Sequence, residues 1–228
     1  MKRFTQFTIG RSAVMVMVLV AVFVFAAGVQ AGKIVDHPDK LKFKDLNYKP
    51  PKPEDYRHTL KCGATVYVAE NPEKPTFEMT VLIRTGSMYV PVEKAGLADM
   101  TGYLMRNGGV KGKTIKELDE RLAYLAGEIN VNIGNSQGRA TLFCLSKDLA
   151  EGLDLFGKVL RTPLFDQDAL DRYRKDVLSD LDQRNASTSD IETREWQFLM
   201  YGNHPCTIQY RRTEESVNSI TREDLSAF

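Results

Sequence analysis

Helical periodicity dominates the second half of this chain. Apolar residues recur every three or four positions in four stretches, which predict helices at 115–126, 149–160, 167–185 and 191–200. The first of these helices opens with Thr114-Ile-Lys-Glu117, a capping box in which side chains and backbone N–H groups satisfy each other reciprocally. A last capping box, Thr221-Arg-Glu-Asp224, announces a helix only a few residues before Phe228. We therefore expect the sequence to be part of a longer chain.

Apolar and polar residues alternate with a period of two elsewhere. This pattern predicts strands at 129–133 and 139–145, joined by a glycine-bearing turn. Two more strand-like stretches, 65–70 and 76–85, flank the proline-rich break Asn71-Pro-Glu-Lys-Pro75 and predict a hairpin. Helices mixed with antiparallel hairpins indicate the α+β class.

The first 31 residues differ in kind from the rest. Lys2, Arg3 and Arg11 precede an apolar run at 13–27, and small residues before and at Ala31 offer a cleavage site. The run is shorter than the about 20 residues that a membrane span needs. The pattern predicts a cleaved signal peptide at 1–31 and an exported, periplasmic protein that has no membrane segment after cleavage, with an uncleaved anchor as the alternative. A polar, proline-rich linker at 32–56 then leads into one domain at 57–228.

Charge and cysteine content narrow the choice of partners. The chain has 31 basic and 30 acidic residues and no cluster of Lys and Arg with interleaved aromatic residues, so we expect no nucleic-acid partner. Cleavage of the signal would remove three positive charges and no negative ones, and would change the net charge from +1 to −2. Cys62, Cys144 and Cys206 are too few for a disulfide framework, and we expect largely buried thiols.

Candidate chemistry is concentrated in the helical stretch that Gly108 and Gly109 close. Asp99 and Tyr103 lie four residues apart, so they share one face of a helix, as two ligands of one metal ion do. Zinc, however, prefers imidazole, thiolate and carboxylate ligands. A phenol with a pKa of about 10 is protonated at neutral pH and is a poor ligand.

The segment 93–109 resembles the signature helix of the M16 metallopeptidases, the group of pitrilysin, insulinase and mitochondrial processing peptidase. In that family the inverted motif His-x-x-Glu-His supplies two zinc ligands and a general base. The resemblance places the histidines at Asp99 and Tyr103 and the glutamate at Gly102. The family's third ligand falls on Asp180, after 76 intervening residues. It thus implies degenerate ligand positions at Asp99, Tyr103 and Asp180, no catalytic residue at Gly102, and no bound cofactor, although zinc is the family's metal.

Further motifs follow in the family's order. Leu60-Lys-Cys-Gly-Ala-Thr-Val66 is similar to its first strand, Pro163-Leu-Phe165 to its Pro-x-Phe corner, and Met200-Tyr-Gly-Asn-His-Pro205 to its Tyr-Gly-x-His-Pro turn. The resemblance implies the N-terminal domain of an M16 peptidase-like (LuxS/MPP-like) fold, with a mixed antiparallel sheet packed against helices.

The resemblance also implies a way of binding. M16 peptidases enclose peptides between two halves and hold them as an added strand on a sheet edge, which needs only backbone groups. The strand at that place here consists of Ile129, Asn130, Val131, Asn132 and Ile133. The alternative is an ordinary edge strand that Asn130 and Asn132 protect from pairing.

Three functions compete on these grounds. The favoured hypothesis is a non-catalytic subunit that helps an active M16 peptidase, or a second M16 domain, to enclose peptides in an exported complex. The alternatives are a metallopeptidase with an altered metal site and a free-standing peptide-binding or scaffold protein.

Overall fold

The computed structural model describes His37, Asp39, Leu41 and residues 47–228. The predicted signal peptide lies outside these residues, and the predicted linker lies partly outside them. The chain divides into two compact units, 1–69 and 70–228, which are described separately. None of the helices in the described ranges is both long and apolar enough to cross a membrane.

The first unit contains a short antiparallel ribbon. Strand β1 (Arg57–Thr59) pairs with β2 (Thr65–Tyr67), with Arg57 opposite Tyr67. The N–H of Leu60 donates to the C=O of Ala64 at 2.9 Å and closes the turn between them. The motif at 60–66 therefore straddles a turn and the start of β2, and is not one strand.

The second unit contains a three-stranded antiparallel sheet in the order β3-β5-β4. Its strands are β3 (Thr76–Ile83), β4 (Glu128–Ile133) and β5 (Gly138–Leu145). The predicted hairpin between 65–70 and 76–85 is wrong, because β2 pairs with β1 and β3 pairs with β5 over eight residues. The alternation in β3 reflects its place in this sheet, because its inward side chains pack on the buried residues of β5 and of the helices behind them.

Seven α-helices occur in the described residues. They are α1 (Leu97–Asn107), α2 (Ile115–Tyr124), α3 (Leu149–Arg161), α4 (Gln167–Gln183), α5 (Thr188–Tyr201), α6 (Glu214–Asn218) and α7 (Arg222–Ala227). Short 3₁₀ segments lie at Pro53–Tyr56, Ser87–Tyr89, Val92–Lys94, Ser146–Asp148 and Pro205–Arg211. Both predicted capping boxes are confirmed: Thr114 and Glu117 cap α2, and Thr221 and Asp224 cap α7. The α+β class is confirmed as well.

Two apolar clusters hold the second unit together. The sheet cluster joins β4 and β5 to α2 and α3, and its largest buried residues include Leu118, Leu142 and Leu155. The helix cluster joins α1 and α4 to α6 and α7 through residues such as Met100, Leu104 and Leu170. Helix α1 therefore lies at the centre of the unit, against both the sheet and the other helices.

The three cysteines do not behave as one group. Cys144 is buried in the sheet cluster, Cys206 is half-buried and Cys62 is exposed, and all three are free thiols. The expectation of largely buried thiols is therefore wrong for Cys62, which follows the exposed strand β1.

Candidate functional site

Helix α1 presents the two candidate ligand positions, Asp99 and Tyr103, on the side opposite to its buried face. Gly96 adopts φ 111°, a left-handed conformation that glycine takes without a steric cost, and the helix begins at the next residue. Leu97, Met100 and Leu104 then point into the helix cluster. Asp99 and Tyr103 remain partly exposed, with 42% of the Asp99 side chain open to solvent. The fold thus keeps α1 in place independently of these two side chains.

Asp99 is already paired with a cation of the protein itself. Its Oδ2 accepts a hydrogen bond from Nη1 of Arg212 at 3.3 Å, across 113 residues of sequence. The same oxygen accepts a second bond from the hydroxyl of Tyr173 on α4 at 3.2 Å. The guanidinium therefore provides the positive charge next to this carboxylate.

Tyr103 is held by an aromatic contact. Its ring lies parallel to that of Tyr173, with 3.7 Å between the ring centroids and 7° between the planes. Burial, and secondly the negative charge of Asp99, raise the pKa of Tyr173 well above its ordinary value. Tyr173 therefore stays neutral and its hydroxyl donates a hydrogen bond to Asp99 throughout the physiological pH range.

Gly102 brings α1 against strand β4. A Cβ atom at this position would lie 3.0 Å from the backbone N of Ile133 and 3.2 Å from its Cγ1. This is tighter than an ordinary van der Waals contact, so the missing side chain lets the helix approach the strand. It also leaves no group at position 102 that could accept a proton.

Asp180 stands apart from the other candidate residues. It lies on α4, seven residues after Tyr173 and so two turns along the same helix face. Its side chain is exposed and makes no hydrogen bond or ion pair with the residues that the structure describes. The structure brings Tyr173, and not Asp180, into contact with Asp99 and Tyr103.

Strand β4 lies at the edge of the described sheet, and its register shows which backbone groups are free. The N–H of Gly134 donates to the C=O of Gln137 at 3.0 Å and closes the β4–β5 hairpin. Bonded and non-bonded pairs alternate along antiparallel strands, so Asn132 and Asn130 exchange hydrogen bonds with β5. The backbone groups of Ile129, Val131 and Ile133 point away from β5 to the outer edge.

This geometry changes the role of the two asparagines. Their backbone groups pair with β5 and their side chains lie on the exposed face of the sheet, where Asn130 donates to Glu128 at 2.7 Å. The alternative from the sequence, that these asparagines protect the outer edge from pairing, therefore does not hold. One of the backbone groups that point to the outer edge nevertheless has a partner: the C=O of Ile129 accepts a hydrogen bond from Nε of Arg106 at 3.1 Å. Within the described part of the chain, no loop backbone or side chain bonds to the N–H or C=O of Val131.

Comparison with known proteins agrees with the resemblance to the M16 metallopeptidases. The profile of the family described as Insulinase (Peptidase family M16) matches residues 65–213, well over half of the chain. The chain belongs to the M16 peptidase family. A relative named as a probable mitochondrial-processing peptidase subunit beta, from Arabidopsis thaliana, is 23% identical over 86% of this chain and 38% of its own length. The chain thus spans less than half of the relatives it matches.

Solved structures show the same fold. The peptidase M16 inactive domain from Pseudomonas fluorescens is 24% identical, covers 75% of this chain and 42% of its own, and superposes with a TM-score of 0.67. The periplasmic protease PqqL from Escherichia coli is 12% identical, covers 96% of this chain and 24% of its own, and has a TM-score of 0.67. The predicted M16 peptidase-like fold is therefore confirmed.

The side chains at the positions that the resemblance assigns to the metal do not fit zinc. Zinc takes imidazole, thiolate or free carboxylate donors in a tetrahedral arrangement. Here the carboxylate of Asp99 is paired with Arg212, and the ring of Tyr103 is stacked on that of Tyr173. Among the described residues, no three His, Cys, Asp or Glu side chains come close enough together to hold a metal ion.

Sequence reasoning missed Tyr173 and Arg212, which complete the cluster at Asp99. The position of Tyr173 could have been predicted from the sequence, because it lies two helical turns from Asp180 and must share its helix face. The position of Arg212 could not have been predicted, since it follows the 3₁₀ segment Pro205–Arg211, whose path no periodicity in the sequence predicts.

Proposed function

We propose that this chain is a non-catalytic M16 subunit that helps an active zinc metallopeptidase of the same exported complex to enclose peptides. The observation that carries the proposal is the ion pair between Asp99 and Arg212, in which an arginine pairs with the residue that stands where the resemblance places a zinc ligand.

The loss of catalysis follows from the chemistry of the site. Metal-assisted hydrolysis needs a cation with an open position that lowers the pKa of bound water, and a base that accepts the proton. Arg212 cannot polarise a carbonyl as a Lewis acid or coordinate water. Gly102 has no side chain, and its place against β4 leaves little room for one. These positions support the fold and not a reaction.

Peptide binding needs none of the lost groups. An extended peptide can add to a sheet edge through backbone hydrogen bonds, with side-chain pockets providing only selectivity. The edge of β4 offers the N–H and C=O of Val131 for this purpose. A member of the family without a metal can therefore still hold one side of a peptide.

The names of the relatives support a paired arrangement. The Arabidopsis relative is named as a subunit, and the Pseudomonas fluorescens structure is described as an inactive domain. Export is supported by the basic and apolar pattern of residues 1–31 and by the likeness in fold to a periplasmic protease. We infer that the partner is an M16 peptidase with an intact His-x-x-Glu-His motif.

Catalysis is tested on the purified mature protein. After dialysis against buffer with a trace of zinc, metal analysis should find no stoichiometric zinc, and an unstructured peptide should remain uncleaved. The paired variant Asp99→His with Tyr103→His is the matched control, since it supplies ligands without a base and should remain inactive. One zinc per wild-type chain together with chelator-sensitive cleavage would instead establish a metallopeptidase with an altered site.

Partnership is tested separately by affinity purification of the tagged full chain from its own periplasmic extract. Mass spectrometry should identify an M16 peptidase with an intact zinc motif, and the mature N-terminus should lie near Gly32. An extract that contains such a peptidase but yields none with the tagged chain would refute the subunit role. Peptide binding without that partner would then favour the free-standing peptide binder.

A further inference from the structure

Arg106 occupies one end of the outer edge of β4. It lies in the last turn of α1, and 17% of its side chain is exposed. Its Nε donates to the backbone C=O of Ile129 at 3.1 Å, and its Nη2 donates to Oδ1 of Asp119 on α2 at 2.6 Å. Two contacts on two different elements fix the guanidinium at the start of the strand.

The bond to Ile129 takes the place of a bond to another strand. Ile129 is in a non-bonded pair with Leu142, so its C=O points to the outer edge, where an added strand would donate a backbone N–H. Nε of Arg106 supplies that N–H from the same molecule. An arriving peptide must displace the guanidinium before it can pair with Ile129, whereas no loop backbone or side chain in the described part of the chain bonds to Val131.

We propose that Arg106 is a strand stop, a positioning residue that confines an added peptide to the Val131–Ile133 part of the β4 edge. The inference rests on the proposed function, because it concerns the same peptide-binding edge. The ligand class is an extended peptide segment, recognised through its backbone. Arg106 decides where along β4 that segment ends.

One nitrogen of the same guanidinium is available for a further hydrogen bond. Its Nη1 is buried and has no hydrogen-bond partner among the described residues. A buried donor without an acceptor is costly, and it gains free energy when an acceptor arrives. The carbonyl oxygen of the last paired peptide residue would supply that acceptor after a small movement of the side chain. The stop would then also bind the end of the ladder.

The test compares Arg106→Met with wild type. Methionine keeps much of the aliphatic stem and removes all five donors. The matched control is Arg121→Met, which removes a half-exposed arginine on α2 that pairs with Glu151 on α3 and not with a backbone group of β4. The probe is an acetylated, amidated ten-residue peptide of valine alternating with threonine or lysine. Residue-specific amide hydrogen exchange of the full chain is measured with and without it.

The expected result is specific to position. The peptide should slow exchange at Val131 in all three proteins and at Ile129 only in Arg106→Met. That variant should bind the peptide about tenfold tighter, since it gains one to two net hydrogen bonds. Asp119→Asn weakens the ion pair that holds the guanidinium but keeps Arg106. In this variant the peptide should slow exchange at Ile129 less than it does in Arg106→Met. This second variant keeps the test valid if Arg106→Met folds poorly.

Three outcomes would count against the inference. Equal slowing at Ile129 in wild type and Arg106→Met would refute the stop and leave the proposed peptide binding intact. If Arg121→Met showed the same exchange pattern as Arg106→Met, the slowing at Ile129 would reflect a general loosening of the protein and not a local effect of Arg106. Failure of the peptide to slow exchange at Val131 in every protein would refute both the stop and the peptide-binding edge.

Discussion

The exposed face of α1 and the outer edge of β4 lie side by side, but they differ in how far their chemistry depends on the identity of the side chains. The α1 face depends on side chains: Asp99 is paired with Arg212 and Tyr103 is stacked on Tyr173, an arrangement that does not suit metal binding. The β4 edge depends on backbone groups, which every residue except proline carries in full. Substitution can therefore remove the catalytic site while the strand edge keeps its pattern of donors and acceptors.

The same comparison explains why α1 remains a helix. Its other face contributes Met100 and Leu104, both fully buried, to the helix cluster. Fully burying a side chain of this size is worth about 1.5–3 kcal/mol relative to leaving it exposed. The packing of this buried face therefore does not depend on Asp99 and Tyr103, which lie on the opposite face.

The largest expected effect breaks the packed face. Leu104→Ala should lower the free energy of unfolding by about 2–5 kcal/mol, because it removes a fully buried side chain and leaves a cavity. Leu199→Ala is the control: Leu199 lies on α5, is 75% exposed, and should change stability by no more than about 0.5 kcal/mol. Urea unfolding measures both. A loss below about 1 kcal/mol for Leu104→Ala would mean that α1 is not held by its buried face.

The elements of the second unit were predictable because their signals are local. Helical period and capping boxes placed α2 and α3 within two residues of their observed ends. Strand pairing was less predictable. The break at 71–75 resembled a hairpin turn, yet the eight residues of β3 pair with β5 about sixty residues later. Pairing partners depend on the whole packed sheet, and short-range alternation does not contain that information.

The candidate site divides in the same way. The positions on α1 were identified from spacing within one helix and from the resemblance. The contacts that hold them were not: Tyr173 lies 74 residues and Arg212 lies 113 residues from Asp99. The role of Arg106 at the β4 edge was also missed, because the sequence pointed to Asn130 and Asn132. Register and hydrogen-bond direction, which place Arg106 on Ile129, require coordinates.

The second prediction sharpens the contact between the two regions. Gly102→Ala adds a Cβ atom 3.0 Å from the backbone N of Ile133, so overpacking should outweigh the gain in helix propensity. We expect a net loss of about 1 kcal/mol. Gly157→Ala in α3 is the matched control, because its Cβ atom meets nothing within 4 Å and the substitution should stabilise by about 0.5–1 kcal/mol. The same sign for both substitutions, measured by urea unfolding, would contradict the close approach of α1 to β4.

The third prediction concerns pH. The pKa of Tyr173 is raised in the folded state, so the folded protein keeps this proton more tightly than the unfolded chain. Its contribution is complete below the unfolded pKa of about 10 and is lost as the pH rises above that value. Tyr173→Phe should cost about 1 kcal/mol at pH 8, and this difference should largely disappear by pH 11.

Urea unfolding at both pH values measures the effect of Tyr173→Phe. Tyr124→Phe serves as the control, since Tyr124 is 78% exposed. A cost of Tyr173→Phe that stays constant between pH 8 and pH 11 would mean that its proton is not held by burial and Asp99.

The smallest expected effect is the coupling between Asp99 and Arg212. A double-mutant cycle of Asp99→Asn and Arg212→Met isolates it, and methionine retains the part of the stem that lies 3.4 Å from the Cβ position of Gly96. The Asp99 side chain is 42% exposed, so solvent screens the pair and the coupling should be about 0.5 kcal/mol. It should shrink further in 1 M salt, where charges are screened within about 3 Å. A coupling above about 2 kcal/mol would mean that the arginine is a strong structural substitute for the metal. The expected small value means that α1 keeps its place through Leu104 and its neighbours, and that the ion pair chiefly leaves the carboxylate unsuited to a metal ion.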